Sequence, residues 1–115
     1  MAQGCVFCAI AGKKTPAKIV SESDRWISFH DVRPQAPVHI LLVPKTHVEN
    51  IAELEAADPA LSSSLFSEAT RLTRELNLRE VGYRIVINCN RNGGQTVPHL
   101  HMHILGGRAM AWPPG

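Results

Sequence analysis

At 115 residues and 44% hydrophobic content, the chain is sized for one ordinary core, and its formal charge of +2 comes from interspersed acids and bases. That distribution offers no basic stripe, and Trp26, Tyr83 and Trp112 do not sit among clustered arginines, which argues against a nucleic-acid polymer as partner. No run approaches the length of a membrane span. The opening stretch, MAQGCVFCAIAGKK, has no basic residue ahead of its apolar run and no cleavage pattern, so no secretory leader is expected. Three cysteines, an odd count, suit a reducing cytoplasm better than a disulfide framework.

Taken in chain order, KIVSESDRWISFHD predicts two short strands about a turn from Ser21 to Arg25. Pro34 and Pro37 then break the chain, and the apolar run Val38 to Pro44 has the length of a buried strand. Asp58-Pro59 reads as a helix start, an N-cap acid followed by proline. Leu61, Leu65, Ala69, Leu72 and Leu76 recur at helical spacing on one face, leaving Arg71, Arg74 and Glu75 towards solvent. Tyr83 to Asn88 and the segment HLHMHIL predict two more strands, joined as an antiparallel hairpin through a loop with the Gly93-Gly94 pair. Strands, a long helix and strands again make an α+β domain with a mostly antiparallel sheet and no internal linker.

The segment PHLHMHILGG sets His99, His101 and His103 at every second position. On a strand they would share one side, while Leu100, Met102 and Ile104 face the core. Their backbones would stand roughly 7 Å apart, close enough for two imidazoles to converge on one small object, a metal ion or a phosphate group. A polar outer face explains one such histidine well and three in strict alternation poorly. A catalytic zinc held by all three would ordinarily have a carboxylate nearby, yet Glu68 and Glu80 lie far upstream and nothing acidic follows Glu80. A phosphate site uses more of the surroundings. Gly93 and Gly94 allow backbone amides close to an anion, Gln95 and Thr96 add donors, and a neutral imidazole pinned at one nitrogen can attack phosphorus with the other.

The segment His99-Leu-His101-Met-His103-Ile-Leu resembles the signature of the histidine-triad (HIT) family. The likeness extends to TPAKIV, FHDVRPQAPVHILLVPKTH, GYRIVIN, GGQTVPHLHMHILGGR and the ending WPPG. Those pieces, in that order, resemble the Hint branch of nucleoside phosphoramidases. The resemblance implies one HIT domain over residues 1–115, with about five strands, one long helix and a short N-terminal helix. It also implies a sheet continued across a homodimer, with the tail 108–115 at the interface and Trp112 crossing to the neighbouring subunit. By motif position, His101 would be the nucleophile that takes the nucleotidyl group. His103 and Thr96 would contact the phosphate and assist the leaving amine. His39 would support the hydrogen-bond chain alongside His99, and Asn88, Gly94 and Gln95 would meet the phosphate. Asp31, next to His30, would accept the ribose hydroxyls, with Phe7, Ile10, Phe29, Val32 and Leu41 around a purine base. The implied reaction is hydrolysis of purine nucleoside 5′-phosphoramidates, and of aminoacyl adenylates, to AMP-type products through a nucleotidyl-histidine. A dinucleoside polyphosphate hydrolase and a nucleotide-binding adaptor are the rivals. Pro98 departs from that branch, which usually carries an aromatic residue there, beside His99 and away from the reactive position.

Cys5 and Cys8 form a Cys-x-x-Cys pair open to zinc, redox or packing readings. A redox pair ordinarily follows a strand, and no strand precedes this one. Zinc-bearing members of the family have histidines at positions matching His47 and His99. The resemblance therefore implies a structural zinc on Cys5, Cys8, His47 and His99, a feature that many members of the phosphoramidase branch lack.

Overall fold

The structure is a computed structural model that describes residues 4–115. Met1 to Gln3, part of the stretch read above for a leader, lie outside the described residues. The order is α1 (Val6–Ala11), β1 (Ile19–Glu22), β2 (Trp26–His30), β3 (Val38–Pro44), a 3-10 turn (Ile51–Glu53), α2 (Leu54–Ala57), α3 (Pro59–Glu75), β4 (Tyr83–Ile87), α4 (Asn90–Gly93) and β5 (Met102–Gly106). The strands form one five-stranded sheet in the order β1-β2-β3-β5-β4, with every neighbour antiparallel. This is the α+β architecture expected from the sequence.

Each face of the sheet carries its own core. On one side, Ile40, Leu42, Met102 and Ile104 meet Leu61, Leu65, Ala69 and Leu72 of α3. That helix starts as its sequence predicts: the Asp58 carboxylate accepts the Ala60 N–H at 3.0 Å and Pro59 occupies the first turn. Arg71 is not merely solvated. It holds Glu68, whose side chain is buried against the sheet, through Nε and Nη2 at 2.7 and 2.8 Å. The Ser21 hydroxyl donates to the same carboxylate at 2.6 Å and lies 2.5 Å from the Ser28 hydroxyl on the paired strand. Burial alone would raise the Glu68 pKa; hydrogen bonds from Arg71 and Ser21 outweigh it and hold the carboxyl below its ordinary value.

On the other side, Ile27, Phe29, Leu41 and Val43 are covered by Phe7 and Ile10 of α1. Strand alternation puts His39, Leu41 and His103 on this same side, because Leu41 is paired with His103. The site is built here.

Three expectations need correction. The first turn is shorter than Ser21 to Arg25, since β1 runs on to Glu22. The last strand begins at Met102, so His99 and His101 precede it. Continued at the same register, the ladder with β3 would bring Leu100 opposite Pro44, which has no N–H to give. The N–H groups of His99 and Leu100 turn instead to the carbonyls of Val97 and Val48. Finally, β4 and β5 do pair as the expected antiparallel hairpin, but their connection is not a simple glycine loop. The connection winds through α4 and turns at Gly94, whose φ of +79° lies in the region that favours glycine.

Candidate active site

His99, His101 and His103 stay on one side of the chain although only His103 belongs to the ladder. The rings of His101 and His103 are 5.0 Å apart, and Phe7 packs edge-on against His101 at 5.0 Å and His99 at 5.8 Å. His99 and His101 are buried. Each ring has a hydrogen-bond partner that fixes where its proton sits. His101 Nδ1 faces the His99 carbonyl at 2.8 Å, and a carbonyl can only accept, so Nδ1 carries the hydrogen and the neutral ring keeps its lone pair on Nε2.

His39 and His103 form a second pair. The Gln35 backbone N–H donates to His39 Nδ1 at 2.9 Å, so the His39 proton is on Nε2, which faces His103 Nδ1 at 2.9 Å. His103 therefore accepts at Nδ1 and holds its own hydrogen on Nε2. Burial, helped by His101 and His39 and opposed by Asp31, pushes the His103 pKa down to about 4. Burial also lowers that of His39, against the pull of Asp31. Both rings are thus neutral near pH 7. The triad places an imidazole with an open lone pair beside one with an N–H to donate.

Asp31 lies just beyond β2. One carboxylate oxygen accepts the Arg33 N–H at 2.8 Å and the other is 3.3 Å from His39 Nε2. It shares a cavity of about 730 Å³ with His30, Val32 and His39, walled by Pro16, Pro34 and Pro37 and edged by Lys18. Val32 is 91% exposed, whereas Phe7, Ile10, Phe29 and Leu41 are buried together in the core beside it. The five apolar residues expected around a base thus divide between a cavity lip and a packed cluster.

The expected phosphate contacts sit on the loop before His99. Thr96 is exposed there and Asn88 is half-buried just after β4. The Gln95 side chain braces the loop itself: its oxygen accepts the Asn90 N–H at 2.9 Å, and its nitrogen donates to the carbonyls of Glu49 and Val97. The Gly94 N–H closes the turn on the Arg91 carbonyl.

Cys5, Cys8, His47 and His99 converge from α1, the segment after β3 and the approach to β5, with one ligand atom from each within 4.8 Å of the others. Cys8 Sγ is 3.2 Å from His47 Nδ1, and Cys5 Sγ is 3.3 Å from His99 Nδ1. No disulfide joins the cysteines. His99 Nε2 donates to the Pro44 carbonyl at 2.8 Å, which leaves its Nδ1 lone pair aimed at the sulfurs. Burial, with the Pro44 bond opposing it, lowers the His99 pKa to about 4. Two soft sulfurs and two imidazole nitrogens, one ring oriented by a carbonyl, are a fitting donor set for a tetrahedral metal ion.

Sequence reasoning did not single out Gln35, Pro44 or the approach of Asp31 to His39. Gln35 and Pro44 act through backbone atoms, which no residue type advertises. Among the described residues no helix is long and apolar enough to cross a membrane.

A HIT-like protein of Synechococcus elongatus is 47% identical over 115 residues, covering all of both chains. A crystal structure of a HIT family hydrolase from Legionella pneumophila superposes with a TM-score of 0.94 at 45% identity, over 97% of this chain and 100% of that one. A histidine triad nucleotide-binding protein from Candida albicans gives 0.83 at 28% identity, over 96% and 83% of the two chains. The HIT domain model matches residues 12–110, a span that holds all three triad histidines, His39 and Asp31, and the chain belongs to the HIT domain family.

Proposed function

We propose that the protein hydrolyses purine nucleoside 5′-phosphoramidates, and aminoacyl adenylates, through a nucleotide bound covalently to His101. The observation that carries this reading is the pairing of tautomers: a lone pair on His101 Nε2 next to a ring that holds its hydrogen on His103 Nε2. In the first step His101 Nε2 bonds to phosphorus as the P–N bond breaks, the departing nitrogen takes the hydrogen from His103 Nε2, and the positive charge gained by the His101 ring offsets the negative charge left on His103. In the second, water attacks the same phosphorus and returns a proton to His103 Nε2, and the nucleoside monophosphate leaves His101 with its lone pair restored. Thr96, Asn88, Gly94 and Gln95 would lie along the phosphate side, and donors there would hold its charge. Hydrolase and nucleotide-binding protein are the descriptions of the Legionella and Candida neighbours, and both agree with this chemistry.

Asp31, beside His30 and Val32 at the cavity, would take the ribose hydroxyls, with Phe7, Ile10, Phe29 and Leu41 backing the base. The four-residue cluster would hold zinc in a structural role, since all four positions are filled by protein ligands. The whole chain would act as one cytoplasmic domain in a homodimer. Support for the dimer comes from β4, an edge strand that opens on the exposed Tyr83, with Val81 exposed just ahead of it and Trp112 81% exposed on the tail.

Mass spectrometry of protein quenched during turnover of an adenosine phosphoramidate tests the reaction. An added nucleotidyl mass on the peptide carrying His101 is expected. Binding without label would favour an adaptor, and faster turnover of a diadenosine polyphosphate would favour the polyphosphate hydrolase.

A further inference from the structure

One hydrogen atom near the cavity has two claimants. Because the Gln35 N–H points at His39 Nδ1, the neutral His39 ring has its only hydrogen on Nε2. That atom is 2.9 Å from His103 Nδ1 and 3.3 Å from the Asp31 carboxylate. The same three residues have metal-like spacing. A metal ion, however, would need a lone pair on His39 Nε2, and the Gln35 N–H already occupies the other nitrogen's lone pair. The arrangement is suited to sharing a proton.

Among the described residues Asp31 is also the one carboxylate lining the cavity, and a ligand bringing hydroxyl groups would bind it through charge-assisted hydrogen bonds. Resting on the nucleotide reading above, we propose that sugar recognition and proton donation are coupled: ribose hydroxyls occupy the Asp31 carboxylate and release the His39 Nε2 hydrogen wholly to His103 Nδ1. With that bond complete, His103 is fixed as the tautomer that donates from Nε2. Without the hydroxyls, Asp31 at 3.3 Å competes for the His39 hydrogen and weakens the 2.9 Å bond that holds His103 in the tautomer donating from Nε2. Asp31 is then a positioning residue for His103 as well as a contact for the sugar. The consequence is specific: a nucleotide lacking sugar hydroxyls should react slowly even when saturating, beyond any loss of affinity.

Two measurements test this. The first is kinetic, with an adenosine phosphoramidate and its 2′,3′-dideoxy analogue. Wild-type protein should lose kcat about tenfold on the dideoxy substrate, the size of one hydrogen bond made good in the transition state. In Asp31→Asn, which keeps an oxygen for the Arg33 N–H, the two substrates should differ in kcat by less than twofold. Equal kcat values for wild type, with only KM changed, would overturn the coupling. So would a tenfold gap that survives in Asp31→Asn. The second reads the imidazole nitrogens by 15N NMR and needs no turnover. Asp31→Asn without nucleotide should move the His39 and His103 signals towards the Nε2–H form of His103, as AMP does in wild type and 2′,3′-dideoxy-AMP does not. Unmoved ring signals in Asp31→Asn would refute the shared proton. Failure to bind AMP at all, with the rings still responding to Asp31→Asn, would count against the nucleotide reading and leave the proton arrangement standing.

Discussion

Removing the ion that we assign to Cys5, Cys8, His47 and His99 should lower the melting temperature by an amount that follows from the fold. The ligands are drawn from both ends of the chain, with Cys5 and His99 separated by 94 positions, so unfolding scatters them and the ion binds the folded state alone. An ion present at a thousandfold excess over its Kd then adds about 4 kcal/mol to stability. Unfolding entropy of about 2.1 cal/mol/K per residue amounts to about 0.24 kcal/mol/K for 115 residues, so that loss is worth about 17 °C. The assay is differential scanning calorimetry of protein purified without chelator, before and after exhaustive chelation, with zinc counted by elemental analysis. About one ion per chain is expected. Cys8→Ser should melt near the chelated wild type and be indifferent to chelator. Native protein without metal, or melting points within about 2 °C of each other at full occupancy, would refute the reasoning.

His101→Ala should reduce single-turnover hydrolysis by several orders of magnitude while AMP affinity stays within a few-fold; more than a tenth of the wild-type rate would sink the covalent route. Folded His103 resists protonation down to about pH 4 whereas an unfolded histidine takes up its proton near 6.5, so stability should fall as pH drops from 6.5 towards 4. Urea melts of His103→Asn should show that slope reduced, and an unchanged slope would assign it to other groups. Deleting Trp112 to Gly115 should alter kcat/KM and leaving-group preference while the fold survives. In dimers mixed from this truncation and His101→Ala chains, wild-type-like selectivity would show the tail acting across the interface, and truncated-type selectivity would show it serving its own subunit.

Periodicity served the sequence reading well where one physical rule governs a whole segment. The spacing of Leu61, Leu65, Ala69 and Leu72, with Asp58-Pro59 before it, gave α3 almost to its ends, and the apolar run to Pro44 gave β3. The alternation of histidines gave their common side correctly but overextended the strand. Proline's missing N–H on the partner strand, a tertiary fact, ends that ladder. Nothing in the sequence marked Glu68 as buried, because the Ser21 hydroxyl that it accepts from lies 47 positions away. The candidate site was legible as a set of residue types, and the cysteine-histidine group was assembled through family likeness. Its tautomers were not legible, since they are set by the backbone groups of Gln35, His99 and Pro44.

The Glu68 cluster also limits how α3 can sit. Leucine and alanine against an apolar sheet leave a helix free to shift by a fraction of a turn and repack at modest loss. A carboxylate that must meet Ser21 beneath it and Arg71 beside it tolerates no such slippage, because any displaced setting strands a desolvated charge. The grip acts where β1 and β2 pass under the helix, and β2 leads directly into Asp31. Helix orientation and the position of the cavity's carboxylate are thereby indexed to each other, so that a substitution at Ser21, on the far face of the sheet, would be felt as a loss of alignment in the site.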